Sequence, residues 1–327
     1  MRILSGVQPS GELHLGNYFG AIQQHLALQR EGEAYYFIAD YHALTTVQDA
    51  ARLRDLTREV AATYLALGLD PQVATFFRQS DVPEVHELAW MLSCVTGMGL
   101  LERAVSYKDK VERGLRATVG LFTYPALMAA DILIYDANLV PVGQDQLQHI
   151  EMTQDMAASF NAAFACEALI RPEGRLSAVP KVPGTDGQKM SKSYGNTIPI
   201  FAAGKALKKA VNAIVTDSKD PKQEPLDPET CNAFAIYRLF TSPEEQAELA
   251  RRYRDDRTFP GYGVTKKAII EAMEARFGPA RERFEALKRP GSELDDVLRE
   301  GALRARKVAQ ATLERCREAV GLGQRLT

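Results

Sequence analysis

Cysteine is scarce in this chain and unpatterned. Four cysteines (Cys94, Cys166, Cys231 and Cys316) are spread over 327 residues without a Cys-x-x-Cys pair. That spacing argues against a structural zinc site and a disulfide framework, and for reduced thiols in a cytoplasm. The five histidines show no metal-ligand spacing. No run of about 18 uninterrupted apolar residues occurs, which excludes an ordinary helical membrane span. The start, Met1-Arg2-Ile3-Leu4-Ser5-Gly6, lacks the apolar core of a signal peptide. There is no internal repeat and no low-complexity tract. Net charge is small, −2, but unevenly spread. Residues 1–203 carry 16 Lys+Arg against 22 Asp+Glu, and residues 204–327 carry 24 against 20. An anionic polymer would favour the second half, although a solvated surface explains so small an excess equally well.

What the chain does contain is 46% hydrophobic and 25% charged residues, a globular composition at a length that suits two domains. Apolar β-rich runs recur early, at Arg2–Gly6, Tyr35–Ala39, Ala74–Phe77 and Leu139–Val142. Helical patterns separate them, at about 17–30, 49–68, 83–97, 124–135 and 144–164. Strands alternating with helices predict a parallel sheet covered on both faces, with ligands beyond the carboxyl ends of its strands. The strand ends are polar there: Ser5-Gly6, Asp40-Tyr41-His42, Gln79-Ser80-Asp81 and Gly143-Gln144-Asp145-Gln146. After Lys192 the strand signal fades, and helical patterns follow at 201–215, 229–240, 243–255, 262–288 and 292–320. The expected fold is therefore α/β, a Rossmann-like nucleotide-binding domain over 1–196, followed by an all-helical domain over 197–327.

Two loops carry chemistry. In Ser5–Asn17 a short strand gives way to a loop with Pro9, Ser10 and Gly11 as breakers, then to His14-Leu15-Gly16-Asn17 and a helical pattern. Strand, loop and helix together direct backbone N–H groups at an anion. Gly16 allows close approach of a ring or phosphate, and His14 and Asn17 flank it as polar donors. Lys189-Met190-Ser191-Lys192-Ser193 follows a Gly/Pro-rich lead-in. Its two lysines are flexible point charges suited to following a departing phosphate. Taken singly, the first loop is as well explained as a turn before a surface helix, and the second as a solvated basic loop.

A third feature is the stretch Tyr124–Tyr135, which reads as a buried helix with Pro125 in its first turn. Tyr124, Met128, Asp131 and Tyr135 fall on one stripe. A carboxylate in so apolar a segment either pairs with a basic residue of the protein or awaits a ligand. An indole, with one N–H donor and no acceptor on that nitrogen, would suit it.

The His-(Ile/Leu)-Gly-(His/Asn) step and the Lys-Met-Ser-Lys-Ser loop together resemble class I aminoacyl-tRNA synthetases. Leu127–Leu133, Val140–Glu151, Ser5–Gly11, Asp40–Ala43 and Gly321-Leu322-Gly323 narrow the resemblance to the bacterial tryptophanyl branch, over nearly the whole chain. Two departures are visible: Asn17 stands where His is usual, and Leu4 where some relatives carry Phe.

The resemblance implies a tryptophan–tRNA ligase, with ATP and Mg²⁺, L-tryptophan and tRNA(Trp) as reactants and a homodimer as the assembly. It implies His14, Asn17, Lys189 and Lys192 as catalytic groups. It implies ATP contacts from Gln8, Pro9, Ser10, Gly16, Asn17, Gly143, Gln144, Asp145, Val182 and Lys189, Met190, Ser191, Lys192 and Ser193, with Lys110 as a further phosphate lysine. Asp131 would accept from the indole N–H, and Tyr124, Met128, Val140 and Val142 would line the side-chain pocket. Gln8, His42 and Gln146 would hold the amino and carboxylate groups. The helical domain would contact the anticodon, with Lys266, Lys267, Arg304, Arg306 and Lys307 either on RNA or as plain helix-face charges. The alternatives are a tyrosine-specific synthetase, a non-catalytic regulator that binds RNA or tryptophan, and a small-molecule adenylyltransferase.

Overall fold

The computed structural model describes residues 1–104, 107, 112, 114, 116–176, 181–220, 222–256 and 258–323, apart from the side chain of residue 145. The chain divides into two compact units. The first comprises 1–10, 25–177 and 288–327; the second comprises 11–24 and 178–287.

The first unit is built on five parallel strands, β1 Arg2–Val7, β2 Glu33–Ile38, β3 Thr75–Arg78, β4 Leu139–Val142 and β5 Glu173–Leu176, in the order β3-β2-β1-β4-β5. The β1–β2 register pairs Ser5 with Tyr36 and Gly6 with Phe37. The four apolar runs become the four inner and first-edge strands. β5 was not expected: Glu173-Gly174-Arg175-Leu176 is exposed throughout, so it has no buried face to impose an apolar pattern.

Helices connect the strands: α1 Leu15–Asn17, running through a wide π turn (Tyr18–Ile22) into α2 Gln23–Leu28; α3 Asp40–Ala43; α4 Ala50–Ala66; α5 Glu84–Val95; α6 Met98–Glu102; α7 Val119–Leu133; and α8 Leu147–Ala163. In α7 the expected start is corrected. Pro125 lies inside the helix, not in its first turn, because Thr118 caps an earlier beginning by accepting a hydrogen bond from the Leu121 N–H.

The second unit contains α9 Gly204–Asn212, α10 Asn232–Tyr237, α11 Pro243–Asp255 and nearly all of α12 Tyr262–Lys288. α11 opens as its sequence predicts. Ser242 accepts from the Glu245 N–H, Glu245 accepts from the Ser242 N–H, and Pro243 occupies the first turn. Its core includes Phe19, Phe234, Tyr253, Phe259 and Phe277, with Tyr18 meeting Phe277 edge-on at 4.9 Å.

The last helix, α13 Leu294–Ala319, departs from a simple cut near residue 196. It belongs to the first unit, where Ala302, Ala305, Ala309, Leu313 and Cys316 join the apolar core formed by Leu4, Phe37, Phe77, Leu92 and Phe160. Its basic residues hold it there. Arg304 donates to the Pro71 and Ala74 carbonyls at 2.7 and 3.1 Å, Arg315 pairs with Asp136 at 2.7 Å, and Arg306 grips the fully buried carboxylate of Glu84. Burial raises the Glu84 pKa, but Arg306 and Gln310 outweigh it and hold the carboxyl below its ordinary range. Arg304 and Arg306 therefore have partners within the protein. So does Lys266, whose ammonium donates to the Asn212 and Ile214 carbonyls at the end of α9. Among the described residues, no helix is long and apolar enough to cross a membrane, and all four cysteines are free thiols.

Candidate active site

The first unit holds a pocket of about 320 Å³ beyond the carboxyl end of β1 and β2, lined in part by Leu4, Ser5, Gly6, Gln8, Phe37, Ala39 and His42. From α7 come Tyr124, Met128, Asp131 and Ile132, from β4 Val140, from the turn after it Gln146, and from the first turn of α8 His149. Its wall is mostly apolar, with a small set of polar groups converging on it, as expected for a small-molecule site. The stripe on α7 thus delivers Tyr124, Met128 and Asp131 to one wall. Tyr135 does not reach it: it follows the helix end and stacks on Tyr35 at 5.6 Å in the core. Val142 is buried in that core and is not among the lining residues.

Asp131 is 2% exposed and already bonded. His42 Nε2 lies 2.9 Å from Oδ2, and Gln79 Nε2 donates to Oδ1 and Oδ2 at 2.9 and 2.8 Å. Of the two options its sequence context left open, the carboxylate has partners within the protein. The cost of burying it is offset by an imidazole and an amide, not by an arginine. This pairing also places the His42 ring on Asp131, whereas the family resemblance gave His42 to the amino-acid backbone. Gln8 donates to the His42 carbonyl at 3.2 Å and so ties the loop after β1 to α3. Tyr124 OH and His149 Nε2 are 2.8 Å apart, and burial pushes the Tyr124 phenol up to about 12.

The second unit brings the two sequence loops together. His14 precedes α1, and its N–H donates to Asn17 Oδ1 at 3.0 Å. Asn17 therefore closes the first turn through its carbonyl oxygen. The His14 ring lies over Gly16, where a Cβ would come within 2.9 Å of ring atoms Cε1 and Nδ1, so no larger residue fits without moving the ring. The Gly16 N–H meets Met190 Sδ at 3.3 Å, and the Lys192 side chain lies across Gly11, its Nζ 3.3 Å from where a Cβ would stand. Burial, with a further contribution from the Lys192 charge, lowers the His14 pKa to about 4. The imidazole is thus neutral at neutral pH. Its Nδ1 is buried without a hydrogen-bond partner among the described residues.

The lysine loop is held by Asn196. The Asn196 carbonyl oxygen on its side chain accepts from the Ser191 N–H at 2.8 Å, while its amide nitrogen donates to Asp186 and to the Lys189 carbonyl. Val182 accepts from the Met190 N–H at 2.9 Å, and Ser191 and Ser193 hydroxyls are 2.8 Å apart. Pro9, Ser10, Gly143 and Gln144 lie in the first unit, with Asp145 in the turn beside them. Lys110 lies outside the described residues.

A family model described as tRNA synthetases class I (W and Y) matches residues 1–278. The chain belongs to that family. It is 51% identical to a tryptophan–tRNA ligase of Rhodopirellula baltica over 98% of this chain and 100% of the relative. It is 49% identical to the Campylobacter jejuni tryptophanyl-tRNA synthetase solved with ADP and tryptophan, with a TM-score of 0.92 over 98% of this chain and all of that one. The Mycoplasma pneumoniae tryptophanyl-tRNA synthetase is similar at 30% identity and a TM-score of 0.81, with 98% of both chains covered.

As a class I synthetase the chain shows which site residues a sequence reading misses. Gln79 was visible only as a polar strand end, and its side-chain contact with Asp131 is made across 52 residues of sequence. His149 gave no signal beyond lying in a matching stretch. Asn196 follows the lysine loop, and its role depends on a fold-back that no spacing reveals.

Proposed function

We propose that this chain activates L-tryptophan with ATP, forming tryptophanyl-adenylate and pyrophosphate, and then transfers the tryptophanyl group to the 2′-OH at the 3′ end of tRNA(Trp). The observation that carries the amino-acid choice is the Asp131 carboxylate in an otherwise apolar wall of Tyr124, Met128, Ile132 and Val140. A charged acceptor facing a cavity of aromatic size favours an indole N–H over a phenyl ring, which brings no donor to the acceptor capacity left on it. Gln8, Gln146 and the His149–Tyr124 pair supply the polar groups for the amino and carboxylate ends.

The attacking carboxylate is ionised at neutral pH, so activation needs no general base. The protein contributes position and charge. Lys189 and Lys192 stabilise the phosphates, the Gly16 backbone and neutral His14 form the cradle, and Asn17 holds that turn closed. Pro9, Ser10, Gly143, Gln144, Asp145, Val182, Met190, Ser191 and Ser193 contribute to nucleotide binding, with Lys110 as a further phosphate contact. Mg²⁺ enters with ATP as the metal–nucleotide substrate. The helices of the second unit would meet the anticodon, and the cytoplasm is the compartment.

The test is amino-acid-dependent ATP–pyrophosphate exchange with tryptophan and tyrosine separately. Exchange is expected with tryptophan only, and Asp131→Asn is expected to lower kcat/KM for tryptophan by about 10- to 100-fold through loss of a charged acceptor. Exchange with tyrosine alone would move the chain to the other branch, and exchange with neither would support a regulator.

A homodimer completes the reading. Trp90 on α5 is 72% exposed, Cys94 lies one turn on, and Met98 and Val119 are also exposed at the starts of α6 and α7. Such apolar exposure on one unit suits an interface between copies. Trp90 is the only tryptophan, so dilution of a dimer should shift its emission to the red as the sedimentation mass halves. A constant mass with no spectral change would count against it.

A further inference from the structure

The deepest polar group of the pocket region is Gln79, 1% exposed in the turn that ends β3. Its carbonyl oxygen accepts from two successive backbone N–H groups, Tyr41 at 3.1 Å and His42 at 3.4 Å. That fixes which way the amide points, because the flipped form would set an NH₂ against two donors. The nitrogen is then committed to Asp131, 2.9 Å from Oδ1 and 2.8 Å from Oδ2. A carboxylate offers about four lone-pair sites. Gln79 takes one on each oxygen and His42 Nε2 one on Oδ2, so the remaining acceptor capacity on Oδ1 is held in a fixed direction.

From this we infer that Gln79 is a specificity-determining positioning residue: it orients Asp131 for an indole N–H and sets the α3 turn that carries His42. One side chain thus ties the ends of β2 and β3 to α7. Without it the carboxylate would lose two of its three hydrogen bonds within the protein and turn toward water or toward His42. The apolar wall of Met128, Ile132 and Val140 would remain, so the aromatic ring would still bind, but its N–H would no longer be read. Binding of an aromatic ring and recognition of its nitrogen are therefore separable, and Gln79 governs only the second.

This inference rests on tryptophan as the substrate. The experiment compares kcat/KM in ATP–pyrophosphate exchange for tryptophan and for 3-benzothienylalanine, in which sulfur replaces the indole N–H. The proteins are wild type, Gln79→Met, Gln79→Asn, Asp131→Asn and the Gln79→Met/Asp131→Asn double variant. Gln79→Met is expected to shrink the tryptophan preference by about tenfold, through the KM for tryptophan, with kcat, the KM for ATP and the analogue within about twofold of wild type. Gln79→Asn, which keeps the amide but shortens its reach, is expected to lose part of the preference and decides the matter if the methionine variant does not fold. The double variant is expected to match Asp131→Asn alone, since one residue acts through the other. A preference unchanged in both Gln79 single variants, an equal loss for both substrates, or losses that add in the double variant would overturn the role of Gln79. A wild type that activates no tryptophan would overturn the substrate reading and this one with it.

Discussion

Lys192→Ala is expected to slow tryptophan-dependent ATP–pyrophosphate exchange by about 10²- to 10³-fold, the usual loss when one preorganised charge or donor is removed from a developing anion. The reason lies in how the residue is held. Lys192 stands at the start of a short turn, Lys192–Tyr194, whose base is pinned by Asn196 to the Ser191 N–H and the Lys189 carbonyl. Its side chain is laid across Gly11, and its charge helps to keep His14 neutral. The reaction gives it no proton to move. In the proposed reaction its contribution would be a positive charge near the phosphates, which would matter most as negative charge accumulates on the leaving pyrophosphate. Most of the loss should therefore fall on kcat, with the KM for tryptophan nearly unchanged. Lys192→Arg keeps the charge but changes its shape, and should recover only part of the rate. The side chain is not in the apolar core, so the melting temperature should stay within a few degrees. A loss below about tenfold in Lys192→Ala, or an equal loss in Lys192→Arg, would remove this lysine from the reaction as described.

The second large effect concerns stability. Gly301→Ala on α13 is expected to cost about 3 kcal/mol or more, at the upper end of what overpacking costs. A Cβ at Gly301 would stand 1.8 Å from the Phe76 carbonyl oxygen and 2.7 Å from its carbon, with no flexible side chain to move aside. The obstacle is the backbone of β3. The helix would have to withdraw, loosening Arg304 from the Pro71 and Ala74 carbonyls and Arg306 from Glu84. The last of these is the costliest to weaken, since it leaves a buried carboxylate short of its counter-ion. For a unit of this size the fall in Tm should be on the order of 6–12 °C. Gly263→Ala is the control: Gly263 lies in the first turn of α12 with open space where its Cβ would be, and should be neutral or slightly stabilising. If Gly301→Ala melts with the wild type, the close packing of α13 on β3 is not what holds the last helix in place.

Much of the architecture was legible because it is local. α4, α5, α8, α11, α12 and α13 follow from 3.6-residue periodicity and from caps such as Ser242-Pro243-Glu244-Glu245, within a few residues of their ends. The inner strands were readable because both faces are buried, whereas β5 was not. A loop signature and an apolar stripe singled out His14 and Lys192 in one unit, and Tyr124, Met128 and Asp131 in the other. What they did not reveal was the pairing. Asp131 reads as a lone acid until His42 and Gln79, 89 and 52 residues away in sequence, are seen to bond it. The basic residues of α13 read as exposed charges until Arg304 and Arg306 find carbonyls and a carboxylate on the sheet.

By itself the sequence determined the parallel α/β core, the two loops around His14 and Lys192, and the acid on an apolar helix face, since each depends on side chains a few residues apart along one element. Tertiary structure alone decided that α13 completes the sheet unit, that His42 and Gln79 and not an arginine accompany Asp131, and that Asn17 closes a turn by accepting through its side-chain oxygen. Those outcomes turn on which backbone N–H and carbonyl groups come to face a side chain once distant segments pack. Burial makes every such group find a partner, but it leaves the choice of partner to the fold.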